Sequence, residues 1–322
     1  MTDAAAQAME HRSLKLGGWA RYLALLVPIF ALGELGAHFY FARRAPTTDE
    51  WSAVRPHVAS WHNAGAAVAI APYWAEPMAR LAFGDELMPL RDVARPDVTR
   101  YAEMLEVSIL GSRAPELEGW KAMREERKGK FTLRALQNPS PALVTYDFTD
   151  HIEPSAAAVW VQKKTGQVDC AFNPNAAMEG GGLGGPPLYP SARFVCPGEP
   201  THVFVGVTII DDEKSHPRRC IWSHPPHNHE ELVTRFRAVP LGTKIHGHAG
   251  MGWLIERDRA VPPFTIKVTV EGEEVGRVVH EPGDFWKPFE IELGAVARRT
   301  ADVEFRVSAA LGTHVCFEAD SR

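Results

Sequence analysis

"FTIKVTV", residues 264–270, decides how the second half of the chain folds. Phe264, Ile266, Val268 and Val270 recur at every second position, so they share one face of an extended segment, as a half-buried antiparallel strand requires. "VEGEEVG" (270–276) then reads as a hairpin turn into "VGRVVH". Working outward, the same alternation recurs in "AAVWVQK", "THVFVGVTI", "PFEIELG", "DVEFRVS" and "THVCFEA", with turn signals between them. No helical period of useful length follows residue 145. Residues 146–322 are therefore expected to form an antiparallel β-sandwich of jelly-roll type.

The preceding stretch, 48–145, has a different grammar. Thr47 and Glu50 form a capping-box pattern, and Trp51, Val54, Val58 and Trp61 follow at helical spacing until Gly65. "AAVAIAPYW" is a short apolar run and reads as a buried strand. "AEPMARLAF" reads as a helix, "EMLEVSIL" as a strand, Trp120 as the centre of a short helix, and "KFTLRALQN" as a further strand. Strands alternating with helices predict a small α/β unit with a mostly parallel sheet.

Further upstream, "YLALLVPIFALGELGAHFYFA" (22–42) lies between Arg21 and Arg43 and carries one formal charge, Glu34. At about 1.5 Å per residue, a helix of that length matches the hydrocarbon core of a bilayer. Trp19 and Tyr22 at one end and Phe39, Tyr40 and Phe41 at the other suit the two interfaces. "GAHFYFARR" offers no small-x-small cleavage site, so a retained single-pass anchor is expected rather than a signal peptide. Residues 1–21 become a cytoplasmic tail, and the bulk of the chain lies outside, in the periplasm of a bacterial inner membrane. Glu34 and His38, at i and i+4 on one face, read first as snorkelling side chains or an earlier helix end, and are the candidates for contact with a partner's membrane helix.

The four cysteines all fall in the β-rich half. An even number there reads as two disulfides in an oxidising compartment. Of the three possible pairings, Cys170–Cys196 closes the Gly/Pro loop 173–190, and Cys220–Cys316 ties an early strand of the sandwich to its last. A net charge of −5 in 322 residues gives no basic field, which excludes nucleic acid as an expected partner.

"AGAAVAIAPYWAEPMARLAFGD", "VSIL" and "KFTLRALQNP", followed by "CIWSHP", "VPLGTKIHGHAGM" and "HVCFEADSR", resemble the extracytoplasmic α/β plus β-sandwich region of bacterial GT-C-type, mannosyltransferase-like membrane glycosyltransferase proteins. The resemblance covers residues 48–322 and implies a place in envelope glycan assembly. Those enzymes carry their catalytic acids between the first helices of a multi-helix bundle, whereas this chain offers one such helix. No catalytic residue is carried over.

Chemistry-bearing residues concentrate in "CIWSHPPHNHEE" (220–231). His224, His227 and His229 are types that ligate zinc. A cupin-like site, however, needs a Glu three or four residues beyond the His-x-His pair, and Pro225 and Pro226 break the strand ahead of it. The stretch is read as a solvated loop holding no functional metal, and no cofactor is expected. His246 and His248 in "IHGHAG" read as core or loop histidines beside close-packed glycines. G-x-S-x-G, S-x-x-K and P-loop motifs are all missing. Sugar recognition needs an aromatic plane with polar groups beside it. "GMGWLIERDR" offers Trp253 with Arg257, and "GDFWKPFE" offers Phe285 and Trp286; both tryptophans read first as packing the sandwich core or its rim, with Trp286 the better candidate for an exposed platform. The sequence thus predicts a membrane-anchored, non-enzymatic accessory or glycan-binding protein. A structural subunit of a membrane complex and a metal-dependent enzyme using the 224–231 loop stand as alternatives.

Overall fold

A computed structural model describes residues 18–62, 66–177, 189–258 and 261–322, with residues 18–25 and 258 described only as parts of helices. Helix α1 (Gly18–Arg44) contains the expected span 22–42 and holds Pro28 within it. Among the described residues no helix is long and apolar enough to cross a membrane. The tail 1–17 and the side chains of 22–25 lie outside the description, and Glu34 and His38 are both exposed on α1.

The small unit follows as α2 (Thr48–Trp61), β1 (Ala67–Ala71), α3 (Glu76–Phe83), α4 (Leu90–Val93), β2 (Glu103–Ile109), β3 (Lys121–Lys128) and β4 (Phe131–Gln137). The capping box forms as the sequence predicts: Glu50 N–H donates to Thr47 Oγ1 (3.3 Å) and Thr47 N–H to Glu50 Oε2 (2.7 Å). It sets α2 so that Trp51, Val54 and Val58 are buried. Trp51 meets Phe131 edge-on at 4.7 Å and Phe83 at 5.7 Å, the centre of this unit's core.

The sheet order is β1-β2-β4-β3, and only β1 and β2 run parallel. The expectation of a mostly parallel sheet is corrected to a mixed one. In place of a helix at Trp120 there is a single turn, Pro115–Leu117, leading straight into β3. That strand, "KAMREERK", lies at the sheet edge with both faces open to water, so its side chains carry charge instead of alternating.

Seventeen strands are described in all. Those of the second unit are β5 (Tyr146–Asp147), β6 (Ala157–Lys163), β7 (Gly166–Asn173), β8 (Arg193–Val195), β9 (Phe204–Asp211), β10 (Pro217–Ser223), β11 (Glu231–Pro240), β12 (Lys244–Gly250), β13 (Phe264–Val270), β14 (Glu273–His280), β15 (Lys287–Glu292), β16 (Thr300–Ala309) and β17 (Cys316–Ser321), with α5 (Trp253–Asp258) between β12 and β13. All pairs are antiparallel, in the order β14-β13-β16-β11-β6-β7-β8-β9-β10-β17-β12-β15, with β5 beside β17. The ends nearly meet, because a Cβ on Gly276 of β14 would stand 2.7 Å from Ile291 Cγ2 of β15. This is an antiparallel sandwich close to a barrel. Strands β6 to β10 pair in sequence order, a meander where a jelly roll would interleave. "FTIKVTV" lies between β14 and β16 with Phe264, Ile266, Val268 and Val270 all buried.

Both expected disulfides form, Cys170–Cys196 and Cys220–Cys316. The core of the sandwich takes one face of β9, β10, β12 and β17, through residues such as Val205, Ile221, Ala249 and Phe317. The opposite face of these strands is covered too. At one end the small unit docks on it through ion pairs. Asp147 Oδ2 accepts from Arg95 and Arg100, each at 2.6 Å. Arg322 bridges Asp320 (2.6 Å) and Asp97, and the backbone N–H of Arg219 donates to Ala94 O (2.9 Å). At the other end Phe204, Ile210, Trp222, Tyr189, Trp286 and the Cys220–Cys316 bridge form a second apolar cluster.

Candidate functional site

Buried strand β1 ends at Ala71, and "PYW" carries the chain out of the sheet into a turn, Tyr73–Ala75, and on into α3. Opposite stands the tip of the β9–β10 hairpin. Between them lies an open cleft of about 750 Å³, lined among others by Trp74, Glu76, Arg80, Asp85, Asp211 and Lys214. Trp74 is 62% exposed and Leu81 beside it is 75% exposed, so the cleft has an apolar platform facing water.

The polar groups around that platform are held in place. Arg80 donates to Asp85 Oδ1 (2.8 Å) and Met88 O (3.3 Å). Asp212 accepts from the backbone N–H of Lys214 and His216 and from Arg218 Nε (2.9 Å), which fixes the hairpin tip. Tyr73 packs its ring 3.5 Å from that of His216 and hydrogen-bonds Glu76. Burial, then the Glu76 charge, raises the Tyr73 phenol far above its usual value. Burial also pushes the Glu76 carboxyl up, against the opposing pull of Tyr73 and Arg80. The Asp211 carboxyl is raised by burial and by its neighbour Asp212. Glu76 and Asp211, both raised by burial, thus line the same cleft as the exposed indole. An apolar indole bordered by carboxylates and cations can stack against a ring and bond the hydroxyls around its rim.

The sequence reading of this region found the strand but not the site. Its signal was "PYWAE", bulky aromatics placed directly after a buried strand, where a chain usually turns with small residues.

The residues predicted to bind glycan come together in part. Trp253 is 40% exposed on α5, with the Arg257 guanidinium 5.0 Å from its ring centroid. Glu256 Oε1 accepts from Gly283 N–H (2.6 Å) and Phe285 N–H (3.1 Å), tying the "GDFWKPFE" loop to α5. Phe285 adopts φ 58°, and its carbonyl lies 2.8 Å from His280 Nε2. Trp286 is not an exposed platform. Its ring lies across Gly250, where a Cβ would come within 2.6 Å of Cε3, and it joins the cluster around Trp222 with its Nε1 buried and unpartnered. Of the two glycines in "IHGHAG", Gly250 admits the indole, whereas Gly247 admits the Phe289 ring and the backbone of β17.

The histidine-rich loop divides. His227 and His229 are exposed, as a solvated loop requires. Asn228 and His229 adopt left-handed φ, and their N–H groups donate to Ala310 O and Ala309 O at 3.0 Å each. His224, by contrast, is 5% exposed, so the solvated reading is corrected for this residue. Its ring packs against two others that the sequence did not connect with it, His202 (centroids 4.4 Å) and His314 (5.6 Å). Elsewhere, among the described residues, Asp97, His246 and Asp320 converge closely enough for an ion. Arg322 already supplies the positive charge there through both carboxylates. His246 Nδ1 stands 4.0 Å from Asp97 Oδ2 of the small unit, which brings "IHGHAG" to the joint, while His248 Nδ1 lies 2.7 Å from Glu318 Oε1 within the sandwich.

No family model matches the chain, and no curated protein matches it. Among solved structures, the CBM51-2 and INT domains of Clostridium perfringens ZmpB share 13% identity over 36% of this chain and 26% of that one, TM-score 0.26. CBM51 from Clostridium perfringens GH95, in complex with methyl-galactose, shares 11% over 34% of this chain and 80% of that one, TM-score 0.21. TmCBM61, in complex with beta-1,4-galactotriose, shares 17% over 36% and 78%, TM-score 0.22. The chain spans about a quarter of the length of the first of these. No residue is carried over from any of them.

Proposed function

We propose that the protein is a membrane-anchored, extracytoplasmic glycan-binding protein of envelope glycan assembly, and that it holds sugar in the cleft at Trp74. The observation that carries the reading is an indole 62% exposed in a cleft of about 750 Å³, with Glu76, Asp85 and Asp211 beside it. A pyranose offers an apolar C–H face to such a ring and hydroxyl donors to such carboxylates. Two formed disulfides support an oxidising compartment. The apolar run 22–42 of the sequence, closed by Arg43 and Arg44, is the support for an anchor.

The full-length chain in detergent, tested on an array of envelope-type polysaccharides, should be retained by at least one. Trp74→Ala should cut that retention at least about tenfold, the effect of losing roughly 1.4 kcal/mol of stacking. Trp253→Ala should leave it unchanged. If Trp253→Ala alone abolishes retention, the sugar site moves to α5. Retention by no glycan sinks the reading. Carbonate extraction of membranes tests the anchor separately, and full-length protein in the soluble fraction would refute it.

A further inference from the structure

Three histidines from separate segments meet above the Cys220–Cys316 bridge. His202 precedes β9, His224 follows β10 and His314 precedes β17. Their convergence follows from the sheet, because Trp222 pairs with Cys316 and Ser223 N–H donates to Val315 O (2.9 Å). Trp222 forms the floor, with its ring centroid 4.9 Å from that of His314 and 6.0 Å from that of His224. Its Nε1–H donates to the carbonyl of His202 (3.4 Å), which fixes the third segment over the same indole.

His224 is the anomaly. It is buried, and neither ring nitrogen has a hydrogen-bond partner. Leaving such a group unpaired in the interior is costly, so it requires an explanation. Gly312 faces it: a Cβ on that residue would stand 2.9 Å from His224 Nε2. Any side chain at 312 would therefore crowd a buried, unpartnered imidazole nitrogen, and the ring of His227 beside it.

We infer that His202, His224 and His314 form a binding site for a transition-metal ion of the zinc class, with a fourth position open toward Gly312. Two imidazoles on one tetrahedral ion, bound at about 2.0–2.1 Å, place their ring centroids roughly 5 Å apart. The spacings here, 4.4 Å and 5.6 Å, bracket that value. As placed, the three rings do not bring their nitrogens within 4.8 Å of one another, so binding requires rotation about χ2, a broad torsion in histidine. The donors are neutral nitrogens, a set that selects zinc, copper, nickel or cobalt over magnesium and calcium. His227 is excluded from the set. Its Nδ1 accepts from Gly312 N–H (3.0 Å), which leaves the proton on Nε2 in the neutral ring. The site is separate from the cleft at Trp74 and does not depend on the glycan reading.

The test is zinc binding by the full-length chain in detergent, by competition with a chromophoric chelator, together with the visible absorption of bound Co2+. One equivalent per chain is expected, with a tetrahedral cobalt spectrum. His224→Ala should abolish binding, and His202→Asn and His314→Asn should each weaken it at least about tenfold, within the range for lost metal contacts. Gly312→Ala leaves all three ligands in place and should also weaken binding by filling the open position. His227→Ala together with His229→Ala should bind as the parent does. His202→Asn and His314→Asn alter only half-buried residues, so they keep the test valid if His224→Ala fails to fold. No stoichiometric uptake, or uptake that follows His227 and His229 instead, overturns the assignment.

Discussion

One face of the β10–β17–β12 sheet is sealed in two different ways. Beneath the small unit the seal is ionic: Asp147 sits between Arg95 and Arg100, and Arg322 holds Asp97 and Asp320. At the far end it is aromatic. Trp222 stacks on Phe204 with ring planes 8° apart, Trp286 lies over Gly250, and the Cys220–Cys316 bridge runs between them. In the ionic half the charged groups named are paired. In the aromatic half Trp286 Nε1 and both nitrogens of His224 are buried without partners. Paired charges in a joint between units describe a structural role. A buried nitrogen without a partner also occurs at the ionic end, at His246 Nδ1, so what distinguishes the aromatic end is the grouping of His224 with two further imidazoles.

The largest effect that would break this contrast is loss of the bridge at the aromatic end. Cys220–Cys316 closes a sequence separation of 96 residues and Cys170–Cys196 one of 26. On chain-entropy grounds removal costs about 4.7 and about 3.5 kcal/mol respectively. Denaturant unfolding of the two double-alanine variants should therefore rank Cys220→Ala/Cys316→Ala as the less stable. A reversed order would mean that the aromatic cluster holds β10 to β17 without its bridge.

Next comes the ionic half. Asp147→Ala strands Arg95, whose side chain is 9% exposed, together with Arg100, and should cost about 3 kcal/mol. The same pairs give the joint an acid limit. Burial alone would raise the carboxyls of Asp147 and Asp97, but Arg95 and Arg100 on the first and Arg322 on the second hold both below the usual value. A carboxylate lowered on folding contributes its stability above the unfolded value, near 3.9, and loses it as pH falls through the folded one. Stability should hold at neutral pH and drop below about pH 4, with a shallower drop in Asp147→Asn. An acid limb with the same slope in that variant would place the pH-sensitive charges elsewhere.

Much of this architecture was legible in the chain. Alternation placed Phe264, Ile266, Val268 and Val270 on a core face because a strand has period two. The cysteine pairing followed from what each bridge would close. Strand β3 was illegible for a physical reason: an edge strand open on both faces carries no alternation, so "KAMREERK" has the composition of a surface helix. The meander of β6 to β10 was hidden as well, since pairing order depends on register between segments and not on the pattern within one. Trp286 misled because its fate depends on Gly250, some 36 residues away in sequence. The histidine cluster could not be seen at all. His202, His224 and His314 are joined only by the β9–β10–β17 ladder, and the dense "SHPPHNH" run drew attention to two neighbours that point to solvent.

The smallest effect is the sharpest test of the contrast within the aromatic half itself. Replacing His227 and His229 together with Ala should change stability by less than about 1 kcal/mol. Both side chains are exposed, and the loop that carries them is held by its backbone, through Asn228 and His229 N–H to Ala310 and Ala309. The one side-chain bond lost is Gly312 N–H to His227 Nδ1, at the surface, where water replaces the ring nitrogen as acceptor. The buried member of the same run, His224, depends on none of these contacts. A double variant that loses several kcal/mol would show that the rim histidines are part of the buried cluster. The division between a solvated rim and a buried imidazole trio would then fall, and His227 would have to be counted among the groups that hold β10 and β17 together.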